Sequence, residues 1–211
     1  MKTALIFWGG WDGHKPQTVA ELLGAALENQ GFEVTLTAEL SSLEDADKLA
    51  KYDLIVPCWT MGQLSGSQTS SLVKAIRSGV GLGGIHGGMG DAFRGNTDYE
   101  WMVGGHFVGH PHVGEYVVSL TANESPITAG LPAAFPYKSE QYYMLTDPAN
   151  VVLADTLYVY ENRRCRMPVV WTKTWSQGRV FYSSLVHDPK EFLEFPHVLE
   201  MTVRGLLWAA R

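Results

Sequence analysis

The sequence predicts an α/β protein whose central sheet is mainly parallel, with helices on both of its faces. Two observations carry this. Through the first 86 residues, short apolar runs bounded by glycine or proline alternate with segments of helical periodicity. The resulting order, strand–helix–strand–(helix)–strand–helix–strand, requires right-handed crossovers between parallel strands. The length, 211 residues of which 45% are hydrophobic, suits a single domain over 1–211.

Ala4 to Trp8 is an apolar run stopped by Gly9 and Gly10, which reads as a buried first strand. After the loop 9–14, Pro16 stands where a first helical residue is expected. Val19, Leu22, Leu23, Ala26 and Leu27 then keep one helix face until Gly31 closes it. Phe32 to Leu36 is the second strand, and the acidic stretch 41–51 is a short solvated helix or turn. Tyr52 to Pro57 is the third strand, ending in the loop 58–62. A helix from about Gly66 to Ser78, capped by Ser65 or Ser67, leads to Gly79 and a fourth strand, Val80 to His86.

From 87 to 111 the pattern loosens into a long irregular insert with one short helix, Thr97 to Val103. Alternating segments then predict strands at 115–120, 137–145, 151–159, 168–174 and 179–185, with a turn at 176–178 between the last two. A single closing helix is expected over 192–210, with Leu199, Val203, Leu206 and Leu207 on one face.

Composition narrows the function. A net charge of −6 argues against a nucleic-acid binder, which presents a basic face. No apolar run approaches the roughly 18 residues that span a bilayer, so no membrane partner is expected. The opening 1–8 is too short for a leader peptide, and the protein is expected in the cytoplasm. Cys58 and Cys165 have no paired spacing, so no disulfide framework is expected. No G-x-G-x-x-G follows the first strand, which argues against a nicotinamide cofactor. Seven tryptophans and the long insert are compatible with a homodimer.

The candidate chemistry is histidine chemistry. His86 stands at the tip of a strand among Gly83, Gly84, Gly87 and Gly88. The carboxyl ends of strands are where α/β sheets bind ligands, and a sharp strand-to-turn elbow can present a reactive side chain. The plainer reading is a histidine hydrogen-bonded inside a tight turn. His187 follows the last apolar strand, beside Asp188 and Pro189, where an imidazole can serve as acid or base. His14 lies in the first loop, before the first helix.

His106, His110 and His112 form a dense group, and His106 and His110 are the candidate ligands of a divalent metal. Gly109 and Pro111 argue against the helix that an H-x3-H ligand pair needs, so lining a substrate pocket is the favoured role. Glu140 sits among aromatics at 139–143. It can bind sugar hydroxyls, accept a proton or ligate a metal, or be a surface glutamate. Trp59 borders the second loop, where an aromatic face can stack on a sugar or simply pack. Asp91 and Tyr142 complete the candidate substrate-binding set.

Five segments together resemble the ThuA-like, or trehalose utilization, family: G-I-H at 84–86, D-A-F at 91–93, V-G-G-H-F-x-G-H-P at 103–111, S-E-Q-Y-Y at 139–143 and H-D-P at 187–189. The resemblance covers nearly the whole chain, and 103–111 is its most specific part. It implies a flavodoxin-like fold of the class I glutamine amidotransferase type, a three-layer sandwich with a long insert after the fourth strand. In that fold the elbow is G-x-C-x-G, and a later H-P-E carries the catalytic histidine. His86 stands where the cysteine belongs, and His187 near that histidine.

Without a thiol at residue 86, glutaminase chemistry has no nucleophile, and Cys58 in the neighbouring loop is a poor substitute. The resemblance instead implies a small-molecule carbohydrate as partner, in keto-sugar metabolism. The first reading is an enzyme acting on a keto-sugar or 3-keto-glycoside, with His86 and His187 as base and acid, Glu140 assisting, and a metal able to polarise the carbonyl. The alternatives are a non-catalytic carbohydrate-binding or regulatory protein, and a metal-dependent hydrolase.

Overall fold

The computed structural model describes residues Met1–Arg211. The chain builds one nine-stranded sheet in the order β2-β1-β3-β4-β9-β8-β7-β5-β6. Its strands are β1 (Lys2–Gly10), β2 (Phe32–Thr37), β3 (Leu54–Thr60), β4 (Gly81–Ile85), β5 (Gly105–Leu120), β6 (Ala134–Thr146), β7 (Val151–Tyr160), β8 (Arg163–Trp175) and β9 (Gly178–Ser183). The helices are α1 (Pro16–Glu28), α2 (Ala46–Leu49), α3 (Gly66–Arg77), α4 (His86–Gly90), α5 (Thr97–Val103), α6 (Glu191–Glu194) and α7 (Pro196–Ala209).

The first half follows the expected plan. β1 alternates: Ala4 and Ile6 enter one core with α1 and α7, and Leu5 and Phe7 enter a second core with α3 and α5. Leu23 and Leu27 of α1 are fully buried, and burying each contributes about 2 kcal/mol. Pro16 occupies the first turn of α1. At α3, Ser65 rather than Ser67 is the cap. Its hydroxyl accepts from the Gln68 N–H at 3.2 Å, while the Gln68 side chain accepts from the Ser65 N–H at 2.8 Å.

Three expectations need correction. The sheet is mixed rather than mainly parallel: β2, β1, β3, β4 and β9 run parallel, while β9-β8, β8-β7, β7-β5 and β5-β6 pair antiparallel. After α5 no crossover helix intervenes between consecutive strands until the chain returns to β9, and short connections favour antiparallel neighbours.

The second correction concerns 87–111, which is not one irregular insert. It comprises α4, α5 and the beginning of β5, from Gly105 to Pro111. Gly109 and Pro111 disguised this strand. The pairing of β5 with β6 accommodates them by shifts of register between Phe107 and Gly109 and between Gly109 and His112.

The third correction is the closing helix, which is broken at Phe195 into α6 and α7. Pro196 disfavours helical backbone in the residue before it and starts α7 itself. No helix is long and apolar enough to cross a membrane.

Candidate functional site

The parallel strands end on a common edge, and each end supplies a piece of one cluster. After β1, a 3-10 turn at Asp12–His14 carries His14, which is 8% exposed. Its Nδ1 is 2.8 Å from the Thr60 hydroxyl at the end of β3. After β4, His86 takes φ 46°, a left-handed conformation that is uncommon for a side-chain-bearing residue, and α4 begins there. This is a strand–turn–helix elbow. Gly87 makes it compact, because a Cβ there would stand 2.3 Å from Cε1 of His14. After β9, Val186 has φ 75°, a strained value for a β-branched residue, and His187 follows it.

The antiparallel half contributes the carboxylate. Glu140, in the middle of β6, places Oε2 3.3 Å from His86 Nε2 and 3.3 Å from His187 Nδ1. His110, on β5, sets Nε2 3.6 Å from Oε1 of the same carboxylate. The rings of His14, His86 and His187 meet edge to face, with centroids 4.8 to 5.4 Å apart. Tyr142 stacks on His86 at 4.0 Å.

The electrostatics follow from this crowding. Nδ1 of His86 is 2.8 Å from the Ser184 carbonyl, which can only accept, so Nδ1 carries the proton and Nε2 faces the cluster unprotonated in the neutral ring. Burial, then the neighbouring His86 and His187, lower His14 from 6.5 to about 3. Burial raises Glu140, but its contacts with His187 and His86 outweigh this and hold it well below the usual carboxylate range. The contact with Glu140 raises His187 above the ordinary histidine value, against burial. Beside the cluster is a void of about 10 Å³, lined by His14, Cys58, Thr60 and His86 among others. His110 and His187 are the most exposed members of the cluster.

The structure thus brings together His14, His86, Glu140, His187, His110 and Tyr142 from the expected set. Three candidates stand apart. Asp91 is buried and held by Arg94 at 2.6 and 2.8 Å, so its oxygens are committed to a guanidinium. Trp59 lies between Cys58 and Thr60 on β3 and points to the opposite face. Its ring covers Gly9 and stacks toward Phe93 at 6.5 Å. His106 pairs with Glu100 at 3.5 Å instead of with the cluster.

The imidazoles that converge are consequently not the His106–His110 pair of the sequence reading. Their neighbour Thr60 was missed, because a threonine at a strand end carries no distinguishing signal. Cys58 is buried, and burial raises its thiol to about 12, which removes it as a nucleophile. The largest surface cleft, 930 Å³ beside α3 and α5, contains none of the clustered residues.

Comparison with known proteins agrees with the fold. The fold is similar to that of a protein described as ThuA-like from Bacteroides uniformis, with a TM-score of 0.78, 19% identity, and coverage of 99% of this chain and 91% of that one. A cytoplasmic protein from Salmonella typhimurium matches with a TM-score of 0.68, 15% identity and complete coverage of both chains. A β-galactosidase from Bacillus circulans matches over 99% of this chain but only 30% of its own, at a TM-score of 0.60 and 14% identity. At such identities these likenesses speak for the fold alone. No curated protein matches the sequence. The profile of the ThuA family, described as trehalose utilisation, matches residues 3–209, and the chain belongs to that family.

Proposed function

We propose that this chain is an enzyme acting on the carbonyl of an oxidised sugar, a keto-sugar or 3-keto-glycoside. The observation that carries the reading is one carboxylate oxygen of Glu140 set 3.3 Å from both His86 Nε2 and His187 Nδ1. A keto group acidifies the neighbouring C–H. His86, its Nδ1–H committed to Ser184, offers Nε2 to take that proton, and the C–H electron pair becomes the enol double bond. His187, whose proton affinity the contact with Glu140 raises, donates to the carbonyl oxygen. Return of a proton to the other carbon gives an isomer. Expulsion of the glycosidic oxygen from the position β to the keto group gives elimination.

The position of the cluster supports the reading. We read the parallel half as flavodoxin-like, because β2-β1-β3-β4-β9 repeats the order 2-1-3-4-5, with the antiparallel strands inserted before its last strand. In such sheets ligands bind outside the carboxyl ends of the strands, where His14, His86 and His187 stand. Membership of the trehalose utilisation family supports the choice of a sugar, and the cytoplasmic neighbour supports a cytoplasmic setting.

The test is turnover of 3-keto-trehalose and 3-keto-glucosides followed by NMR in deuterated water. Incorporation of deuterium beside the carbonyl, abolished in His187→Gln with sugar binding retained, is the expected result. Binding without exchange or conversion across the panel assigns the chain to the non-catalytic, carbohydrate-binding alternative.

A further inference from the structure

We infer that His14, His86, His187 and Glu140 form a binding site for one divalent transition-metal ion of the zinc class. The inference goes beyond the proposed reaction: a bound ion takes the nitrogens of His86 and His187 that act as base and acid in the metal-free reading, and it is tested by binding rather than by turnover.

The first argument is the state of the donor atoms. His86 is 2% exposed, and its Nε2 has no hydrogen-bond partner. With the proton on Nδ1, this nitrogen directs a lone pair at Glu140 Oε2, 3.3 Å away. His187 Nδ1 is likewise without a hydrogen-bond partner and faces the same oxygen at the same distance. Electron-rich atoms at this spacing repel unless positive charge lies between them. A proton on His187 Nδ1 relieves that contact and leaves the one at His86, whereas a cation relieves both.

The second argument is spacing and direction. One donor atom from each of the four residues lies within 4.8 Å of the others. Four donors held tetrahedrally at zinc-type distances stand about 3.4 Å apart, so two contacts already match and the widest pair closes by roughly 1.4 Å. The imidazole planes cross at 78°, 86° and 81°, so the rings do not stack on one another.

The third argument is support. His14 Nδ1 rests on Thr60 and His86 Nδ1 on Ser184, each at 2.8 Å, which fixes both rings and leaves Nε2 of each free, as metal-binding histidines require. Three imidazoles and one carboxylate are a donor set suited to zinc, iron, nickel or cobalt rather than to calcium or magnesium. A bound ion would be held by His86 and His187 and would supply Lewis-acid polarisation of a keto oxygen, and His110, 3.6 Å from Glu140, would be the remaining imidazole for moving a proton.

The test uses the full chain stripped with a chelator and titrated separately with Zn²⁺ and Co²⁺. Binding is read by elemental analysis, Co²⁺ visible absorption and the shift in melting temperature. One ion per chain is expected. Thr60→Val should weaken binding about 10- to 100-fold, the range seen when a supporting hydrogen bond is lost, and Glu140→Gln and His187→Gln should weaken it more. His86→Asn, whose side chain tolerates the left-handed backbone at this position, separates loss of the ligand from loss of the fold.

Absence of stoichiometric binding overturns the inference, as does binding unchanged in these variants. The two proposals fail separately. A metal-loaded protein that leaves keto-sugars untouched sinks the reaction and keeps the site. A metal-free protein with full turnover sinks the site and keeps the reaction.

Discussion

The two halves of the sheet meet at the cluster with opposite contributions. The parallel half supplies His14, His86 and His187 from strand ends, anchored by backbone carbonyl, threonine and strained turns. The antiparallel half supplies the single carboxylate, Glu140, from mid-strand, together with Tyr142 and His110. Basic donors thus come from one half and the balancing charge from the other. The difference teaches that the site is a property of the docked pair: neither half alone places Glu140 beside His86 and His187.

Removing the carboxylate breaks this complementarity most directly. Glu140→Gln preserves shape and is expected to lower kcat/KM on a 3-keto-glycoside by about 10²- to 10⁴-fold, the range for general acid–base groups. A loss below tenfold would mean that the antiparallel half only covers the site.

The next effect concerns how the antiparallel half is held together. Lys173 of β8 is 5% exposed and donates to Asp147, after β6, at 2.7 Å and to the Trp101 carbonyl of α5. Asp147→Ala leaves the ammonium buried without its partner, and a loss of about 3 kcal/mol is expected in urea unfolding. The pH dependence has a definite sign. Its bond to Lys173 lowers Asp147 below the ordinary carboxylate value, so its contribution is complete above the unfolded pKa and disappears as pH falls through the folded one. Stability below about pH 4 should therefore fall less steeply in Asp147→Ala than in the parent.

A smaller effect tests the parallel half alone. Gly87→Ala drives a methyl into the His14 ring, and a cost of about 2 kcal/mol is expected in thermal unfolding. An unchanged melting temperature would show that the His14 loop yields easily. The mildest test compares the thiols. Cys58 is buried in the parallel half and Cys165 exposed on β8. Iodoacetamide at neutral pH should modify one thiol per native chain, at Cys165.

Much of the parallel half was legible because its signals are local. Pro16 starts a helix, Gly31 ends one, and glycines around His86 announce a strand running into a turn. The antiparallel half was less so. Gly109 and Pro111 broke the alternation of β5, and Pro196 divided what periodicity joined. Among site residues, His86 and His187 stood out because strand ends are marked in sequence. Asp91 and Trp59 did not join the cluster, since whether a side chain is claimed by Arg94, or lies on the far face of β3, depends on neighbours the local pattern does not name.

By itself the sequence determined an α/β chain with histidines at strand ends and no thiol at the elbow. Local backbone preferences and apolar periodicity suffice for that. Tertiary structure alone decided that Glu140 stands between His86 and His187, and that His14 rather than His106 completes the cluster. Those contacts join residues far apart in sequence. They depend on the register of β5 against β6 and on the docking of an antiparallel half to a parallel one, which cooperative packing fixes and no short stretch of chain encodes.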